Sequence, residues 1–300
     1  TAYEIMPSLV GSEMCIRDSA WRIHRKLDPS SIPSEKEVYR EHQFRFNALI
    51  REGVFWLFLH PLSRAGSSLR QALKLSRKYG WVREEAIALE FLGQVYIEKG
   101  RPRQALKYLD QALEIGLRIA PRGDIVNQVE RRRAEAFIQM RKKGEARGAL
   151  DRSWDVSRSL GDRYEMAVLD RVEAEFREVF GGDEEEIIGY YRGSVKVLEE
   201  MGEVWERGRS LYLMGRYLGS VRRLEEALVS LSQAEDIFRG VGSVYWLGVV
   251  LKERSEVLRL GGRYRDALRI LEEAEYELGA VSYTHLRAHE TRHDLVCRLL

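Results

Sequence analysis

The sequence is poor in cysteine, proline and histidine and has no long apolar run. Two of its 300 residues are cysteines, Cys15 and Cys297. Both lie in terminal segments that read as foreign to the rest, so disulfides leave the argument. Six prolines in the whole chain leave long stretches free to be helical, because proline removes a donor and clashes with the preceding turn. No apolar stretch approaches the roughly 20 residues that cross a bilayer. The formal charge of +2 is close to balance, and it gives no electrostatic reason for binding nucleic acid or an anionic membrane. His24, His42 and His60 are isolated, with no HExxH-like partner. Phosphate-binding GxxxxGKS/T, dinucleotide-binding GxGxxG and nucleophile-elbow GxSxG patterns are absent. The expectation is a chain with no catalytic residue, no cofactor and no metal. A dispersed active site is the third and last alternative.

The two ends do not continue the pattern between them. Val281–Glu290, VSYTHLRAHE, can be written GTC TCT TAT ACA CAT CTC CGA GCC CAC GAG. The reverse complement encodes LVGSEMCIRD, which is Leu9–Asp18. Asp294–Arg298, DLVCR, likewise reverses to TAYEI, Thr1–Ile5. Ends that are antisense translations of each other resemble translated sequencing-library adapter. Residues 1–19 and 280–300 are therefore expected to be non-biological and are set aside from the fold. The helical spacing of His285, His289 and His293, which would otherwise suggest metal ligands, goes with them. Residues 20–33 read as a partial helix followed by a linker at DPSSIP. The native protein is expected to be longer.

What the chain has in abundance is small and large apolar residues at a fixed spacing. One position reads Ala65, Ala105, Ala146, Ile187, Ala227, Ala267. Four residues later come Leu69, Leu109, Leu150, Tyr191, Leu231, Leu271, and three further on Ala72, Ala112, Ser153, Ser194, Ala234, Ala274. A preceding helix gives Gly53, Gly93, Ala134, Ala174, Gly215, Ser255 in the same register. The period of about 40 residues, with two helices per unit, marks an α-solenoid. The fold predicted is all-α, with about six antiparallel helix pairs over residues 34–279. Small residues sit where helices cross closely, and large ones fill the space between units. Ser34 with Glu37 makes a capping box for a first helix that runs to about Leu59. Gly100, Gly144, Gly181–Gly182 and Gly261–Gly262 fall inside units, and Gly80, Gly161, Gly202 and Gly240 between them, where left-handed caps are expected. Pro102 suits a first helical turn.

At Leu89, Leu92–Gly93, Tyr96, Ala105, Leu109 and Ala112 the pattern resembles the tetratricopeptide repeat. The period, longer than that family's usual 34 or so residues, resembles its extended subclass in animal polarity adaptors and bacterial signalling proteins, including maltose-regulator-like transcription activators. The resemblance implies a right-handed superhelix whose concave face is lined by first helices and binds a protein or peptide. It would be a cytoplasmic module of a larger bacterial signalling or transcription regulator, with self-association as one form of partner. Projecting the family's groove positions gives Asn47, Glu90, Gln94, Gln128, Arg131, Glu135, Arg171, Glu175, Arg209, Tyr212, Arg216, Lys252 and Glu256. The second alternative is a small-molecule sensor, which needs an enclosed pocket with a few convergent polar groups.

Three other motifs have structural readings. FGGDEEE, Phe180–Glu186, superficially matches a diguanylate cyclase signature, but its glycines fall where a repeat turn is due. Asp183 with Glu186 then makes a helix start. ERRR, Glu130–Arg133, is expected to be a solvated helix face with i,i+4 pairs. Trp21, Trp56, Trp81, Trp154, Trp205 and Trp246 are expected mostly in the core between repeats. The apolar run Phe55–Leu59 is expected to be buried on several sides.

Overall fold

The structure is a computed structural model of the chain that describes residues 35–59 and 61–279. The readings of residues 1–19, 20–33 and 280–300, of both cysteines, of Trp21 and His24, and of Ser34 and His60 lie outside the described residues. Among the described residues there are twelve α-helices and no strand. They are α1 (Glu35–Leu59), α2 (Leu62–Tyr79), α3 (Val82–Glu98), α4 (Pro102–Ile119), α5 (Asp124–Gln139) and α6 (Lys143–Leu160). They continue as α7 (Arg163–Phe180), α8 (Glu184–Glu200), α9 (Val204–Ser220), α10 (Leu224–Gly240), α11 (Val244–Leu260) and α12 (Tyr264–Gly279). None of them is long and apolar enough to cross a membrane. Odd-numbered helices open each pair and even-numbered helices close it, as the spacing predicts. The chain divides into two compact units, 1–136 and 137–300.

In the first unit, α1 packs on α2 and α3 on α4, and α2 also packs on α3. Its core includes Phe46, Leu69, Trp81, Leu89, Leu92, Leu109, Ile125 and Val129. The small-and-large rule is visible atom by atom. A Cβ placed on Gly93 would lie 2.5 Å from Leu109 Cδ2, and one on Gly53 2.6 Å from Leu69 Cγ. Each leucine of the second helix thus occupies the space that a first-helix side chain would take. Leu69 and Leu109 are wholly buried, which contributes roughly 2–3 kcal/mol each.

The second unit repeats this arrangement. Gly215 faces Leu231 as Gly93 faces Leu109. Its main core runs from Ala174 through Ile187, Tyr191, Leu211, Leu218, Leu231, Phe238 and Leu251 to Ala274. Buried Ser194 on α8 and Ser210 on α9 satisfy each other at 2.9 Å.

First and second helices differ in how much of their circumference is covered. On α4 only Ala105, Leu109, Ala112, Ile115 and Gly116 are buried, a single stripe. On α3 the buried set is Ala86, Ala88, Leu89, Glu90, Leu92, Gly93, Gln94, Val95 and Ile97. First helices also contact one another directly, α1 with α3, α7 with α9, and α9 with α11. Polar side chains on first helices are therefore taken out of water.

The turns follow the glycine pattern with three exceptions. Gly80, Gly100, Gly161, Gly181, Gly202 and Gly262 take positive φ. After α5 the left-handed residue is Arg141 (φ 56°), and Gly144 lies inside α6. After α9 it is Arg222 (φ 67°), and after α10 it is Gly242, with Gly240 still helical. Asp183 caps α8 as the sequence predicts, accepting the Glu186 N–H at 3.1 Å. Trp81 and Trp246 are buried, while Trp56, Trp154 and Trp205 are half-buried. In the Phe55–Leu59 run only Leu57 is fully buried, and Arg64 lies 5.0 Å over the Trp56 ring.

Candidate functional site

The polar positions of the first helices form ion-paired layers. In the first unit, Arg132 Nε on α5 donates to Glu90 Oε1 on α3 at 2.5 Å. The two residues are only 7% and 2% exposed. Arg131 Nη1 donates to Glu135 Oε1 at 3.3 Å, one helical turn on. Arg133 reaches Asp110 on α4 at 3.0 Å and Glu130 at 2.9 Å. This corrects the reading of ERRR as a solvated face. Glu130, Arg131 and Arg132 are buried, with Arg132 held by Glu90 of α3 and Arg133 by Asp110 of α4. The pairing expected at i,i+4 is present, and it offsets desolvation there instead of decorating a surface.

In the second unit, the layer spans three first helices. Arg171 on α7, 1% exposed, pairs with Glu175, and its Nε lies 3.5 Å from Glu206 on α9. Glu206 also pairs with Arg209 at 3.4 Å. The Arg209 guanidinium lies 5.7 Å over Trp246 on α11, and Trp246 meets Tyr212 edge-on at 5.8 Å. One turn further, Arg216 Nη2 donates to both oxygens of Glu178 at 3.0 and 3.1 Å. Tyr191 Oη donates to the same carboxylate at 3.2 Å.

These contacts shift protonation equilibria. Burial disfavours charge on Arg216, yet Glu178, Tyr191, Tyr212 and Glu175 hold its pKa above the ordinary arginine value. Burial, with Glu175 and Glu178 adding to it, pushes the Tyr191 phenol well up. Burial raises Tyr212 too, against the pull of Arg216. Glu253 is raised by burial and by Glu256, again against Arg216. Also on α7, burial and then Glu173 push Asp170 up to about 6.

The structure sorts the thirteen sequence-predicted positions by exposure. Glu90, Gln94, Arg131, Glu135, Arg171 and Arg209 are buried. Gln128, Glu175, Tyr212, Arg216 and Glu256 are half-buried, and Asn47 and Lys252 are exposed. Tyr212, Arg216, Lys252 and Glu256 sit together on α9 and α11, with Glu253 between them in sequence. Glu178 and Glu253 were not among the predicted positions. Their one signal was the i,i+4 or i,i+3 spacing that would place each near a predicted residue.

Two open clefts lie elsewhere. One, of about 230 Å³, is lined in the second unit by Leu228, Val229, Arg254, Leu258, Arg263 and Ile270 among others. The other, of about 340 Å³, lies in the first unit against Leu73, Arg77, Tyr96, Gln104, Lys107 and Tyr108. Sequence reasoning missed the second cleft. Its available signal was charge: Pro61–Arg83 and Lys99–Tyr108 contain no acidic residue before Arg83 and after Glu98 respectively.

A family model described as a tetratricopeptide repeat matches residues 86–115. No curated protein matches the chain. Among solved structures, the chain is similar to a Rap protein complexed with Competence and Sporulation Factor. That match has a TM-score of 0.62 and 16% identity over 85% of this chain and 74% of that one. It is similar to BtubC (BKLC) from P. vanneervenii, with a TM-score of 0.57 and 15% identity over 73% of this chain and 92% of that one. A third similar structure is a signal transduction ATPase with a tetratricopeptide repeat sensor, from Pyrococcus horikoshii. There the TM-score is 0.55 and the identity 15%, over 79% of this chain and 36% of that one. At these identities the likeness is one of fold.

Proposed function

We propose that this tetratricopeptide-repeat chain is a protein–protein interaction module whose partner is received by the first helices of its second unit. The observation that carries the reading is the exposure pattern on α9 and α11. Tyr212, Arg216, Lys252 and Glu256 keep surface, while Arg171 on α7 and Arg209 on α9 are buried and ion-paired; Arg216 and Glu256 are steadied by Glu178 and Arg259. Buried pairs brace adjacent helices, so the outer four are presented on a rigid support. Tyrosine and arginine suit such a role, each combining contact area with fixed donors. The mixed signs favour a partner segment of mixed charge. In the first unit Asn47 is exposed and Gln128 half-buried, while Glu90, Gln94, Arg131 and Glu135, which share the register of the outer four, are buried.

The finer proposal is that the module belongs to a larger signalling or transcription regulator. Its support is an analogy: the Pyrococcus horikoshii protein carries its tetratricopeptide repeat sensor within a longer signal transduction ATPase. The open shape of both clefts favours a macromolecular partner over an enclosed small molecule. The test is an affinity capture from the source cells with the wild-type chain and with Arg216→Glu/Lys252→Glu, compared by quantitative mass spectrometry. A partner held by the wild-type chain and lost by the variant is the expected result. Equal recovery by both, with the variant folded by circular dichroism, overturns the placement.

A further inference from the structure

A second site, remote from the positions above, is built on the cleft between α2, α3 and α4. Helix α2 carries five basic residues, Arg64, Arg70, Lys74, Arg77 and Lys78, and no acidic one. Arg70, Lys74 and Arg77 stand at i, i+4 and i+7, one stripe of the helix. Lys107 on α4 lines the cleft with Arg77; Arg103 lies one turn before Lys107, and Lys99 and Arg101 occupy the turn that precedes α4. Arg77 is engaged, by Glu85 at 2.7 Å and by Gln111 at 3.1 Å. Among the described residues, no carboxylate pairs with Arg70, Lys74, Lys99, Arg101, Arg103 or Lys107.

Several like charges therefore face one another here without a carboxylate between them. The cations crowd one another. Burial lowers the Lys99 pKa, and Arg70 and Arg101 lower it further. Uncompensated like charges at a partly desolvated cleft cost stability unless an anion joins them. The floor between them is aromatic: Tyr96 and Tyr108 stack at 5.2 Å with their planes 10° apart.

We propose that this cleft binds an extended acidic peptide segment of a partner protein. The cations on α2 and on α4 are spaced one turn apart, about 5–6 Å. Carboxylates on one face of an extended chain recur about every 6.6 Å, so alternate acidic residues can meet successive cations. Gln104 lines the cleft and offers an amide that can pair with the peptide backbone. Nucleic acid is the less suited polyanion. It needs open aromatic faces for its bases, whereas Tyr108 covers one face of Tyr96 and the Lys99 ammonium lies 5.6 Å over that ring. The site does not depend on the α9–α11 reading and uses different helices.

The experiment is fluorescence anisotropy with the full chain and a labelled nonapeptide bearing glutamate at alternate positions. Controls are the same peptide with glutamine in place of glutamate, and an oligothymidylate of equal length. Binding of the glutamate peptide that falls steeply with salt is expected, with the glutamine peptide inert. Arg70→Glu/Lys107→Glu weakens it by about tenfold or more, and Arg216→Glu/Lys252→Glu leaves it unchanged. Both side chains of the first variant are exposed, so its fold is retained. Lys107→Gln, a milder change, gives a smaller loss in the same direction. The proposal is overturned if the glutamine peptide binds equally, if Arg70→Glu/Lys107→Glu binds as the wild type does, or if only the oligothymidylate binds. Because the groove variant is measured in parallel, failure here is distinguishable from failure of the α9–α11 site.

Discussion

The Glu90–Arg132 pair allows a sharp test of how the first helices are held together. Both side chains are nearly solvent-free, 3% and 8% exposed, and they join α3 to α5 across 42 positions of sequence. Arg132 also lies 5.7 Å over the Phe91 ring. Removing one partner leaves a buried charge without compensation. Arg132→Met therefore costs about 3–5 kcal/mol, and Glu90→Leu a similar amount, since either change strands the other ion. Removing both together removes the stranded charge. The double variant Glu90→Leu/Arg132→Met is expected within about 1 kcal/mol of wild type, on either side, because apolar residues of similar volume replace a costly ion pair. The assay is urea unfolding followed by circular dichroism, with midpoint and slope both fitted. The double-mutant cycle then yields a coupling of several kcal/mol. Single variants that each cost less than about 1 kcal/mol, as exposed pairs do, would refute the reasoning, because the pair would then be hydrated.

Two further predictions concern the second unit and the repeat rule. The Asp170 carboxyl is pushed up to about 6 by burial and by Glu173, above its ordinary value. The folded chain then binds this proton more tightly than the unfolded chain. That stability is present below about pH 4 and is lost as pH rises to about 6. Asp170→Asn should stabilise the chain by on the order of 1 kcal/mol near pH 8, after discounting for partial solvent screening, and change little near pH 4; thermal melts at the two pH values check this, and an equal gain at both would refute it. Gly93→Ala places a Cβ 2.5 Å from Leu109 Cδ2. It should cost about 1–3 kcal/mol by overpacking, even though alanine is the better helix former. The same change at Gly189, an exposed helical glycine with nothing within 4 Å of its Cβ position, should stabilise by up to about 1 kcal/mol, and urea midpoints compare the two.

The fold was legible because the repeat states it several times over. Small residues at Gly53, Gly93 and Gly215 and their leucine partners recur at one spacing, and each recurrence predicts the same crossing of helices. The misplaced turns show where that signal ends. Arg141 and Arg222 hold the left-handed position while glycines nearby do not, because the backbone hydrogen bonds of the closing turn decide which residue adopts it. Lys142 N–H to Phe137 O and Arg223 N–H to Leu218 O, both 2.9 Å, close those turns regardless of side chain. An arginine tolerates the conformation at a cost of about 1–2 kcal/mol, and composition alone does not reveal that.

The site was legible only in part, and for a physical reason. Family spacing assigns a residue to a helix face, but exposure depends on what packs over that face. Glu90 and Lys252 are equivalent in their projection, yet one is 2% exposed and the other lies at the surface. The difference is the neighbour. Arg132, from the next first helix, closes over Glu90, whereas Lys252 belongs to α11, the last first helix of the array among the described residues. Glu90 is thereby drawn into the pairing of α3 with α5, while Lys252 keeps its exposure. The same reasoning locates the basic cleft. The α2 stripe lies on a second helix, so its cations keep their exposure; Glu85 of α3 reaches Arg77, but among the described residues no carboxylate reaches Arg70 or Lys74. Within each unit, what packs over a charged side chain decides whether it is drawn into the pairing between helices or stays at the surface.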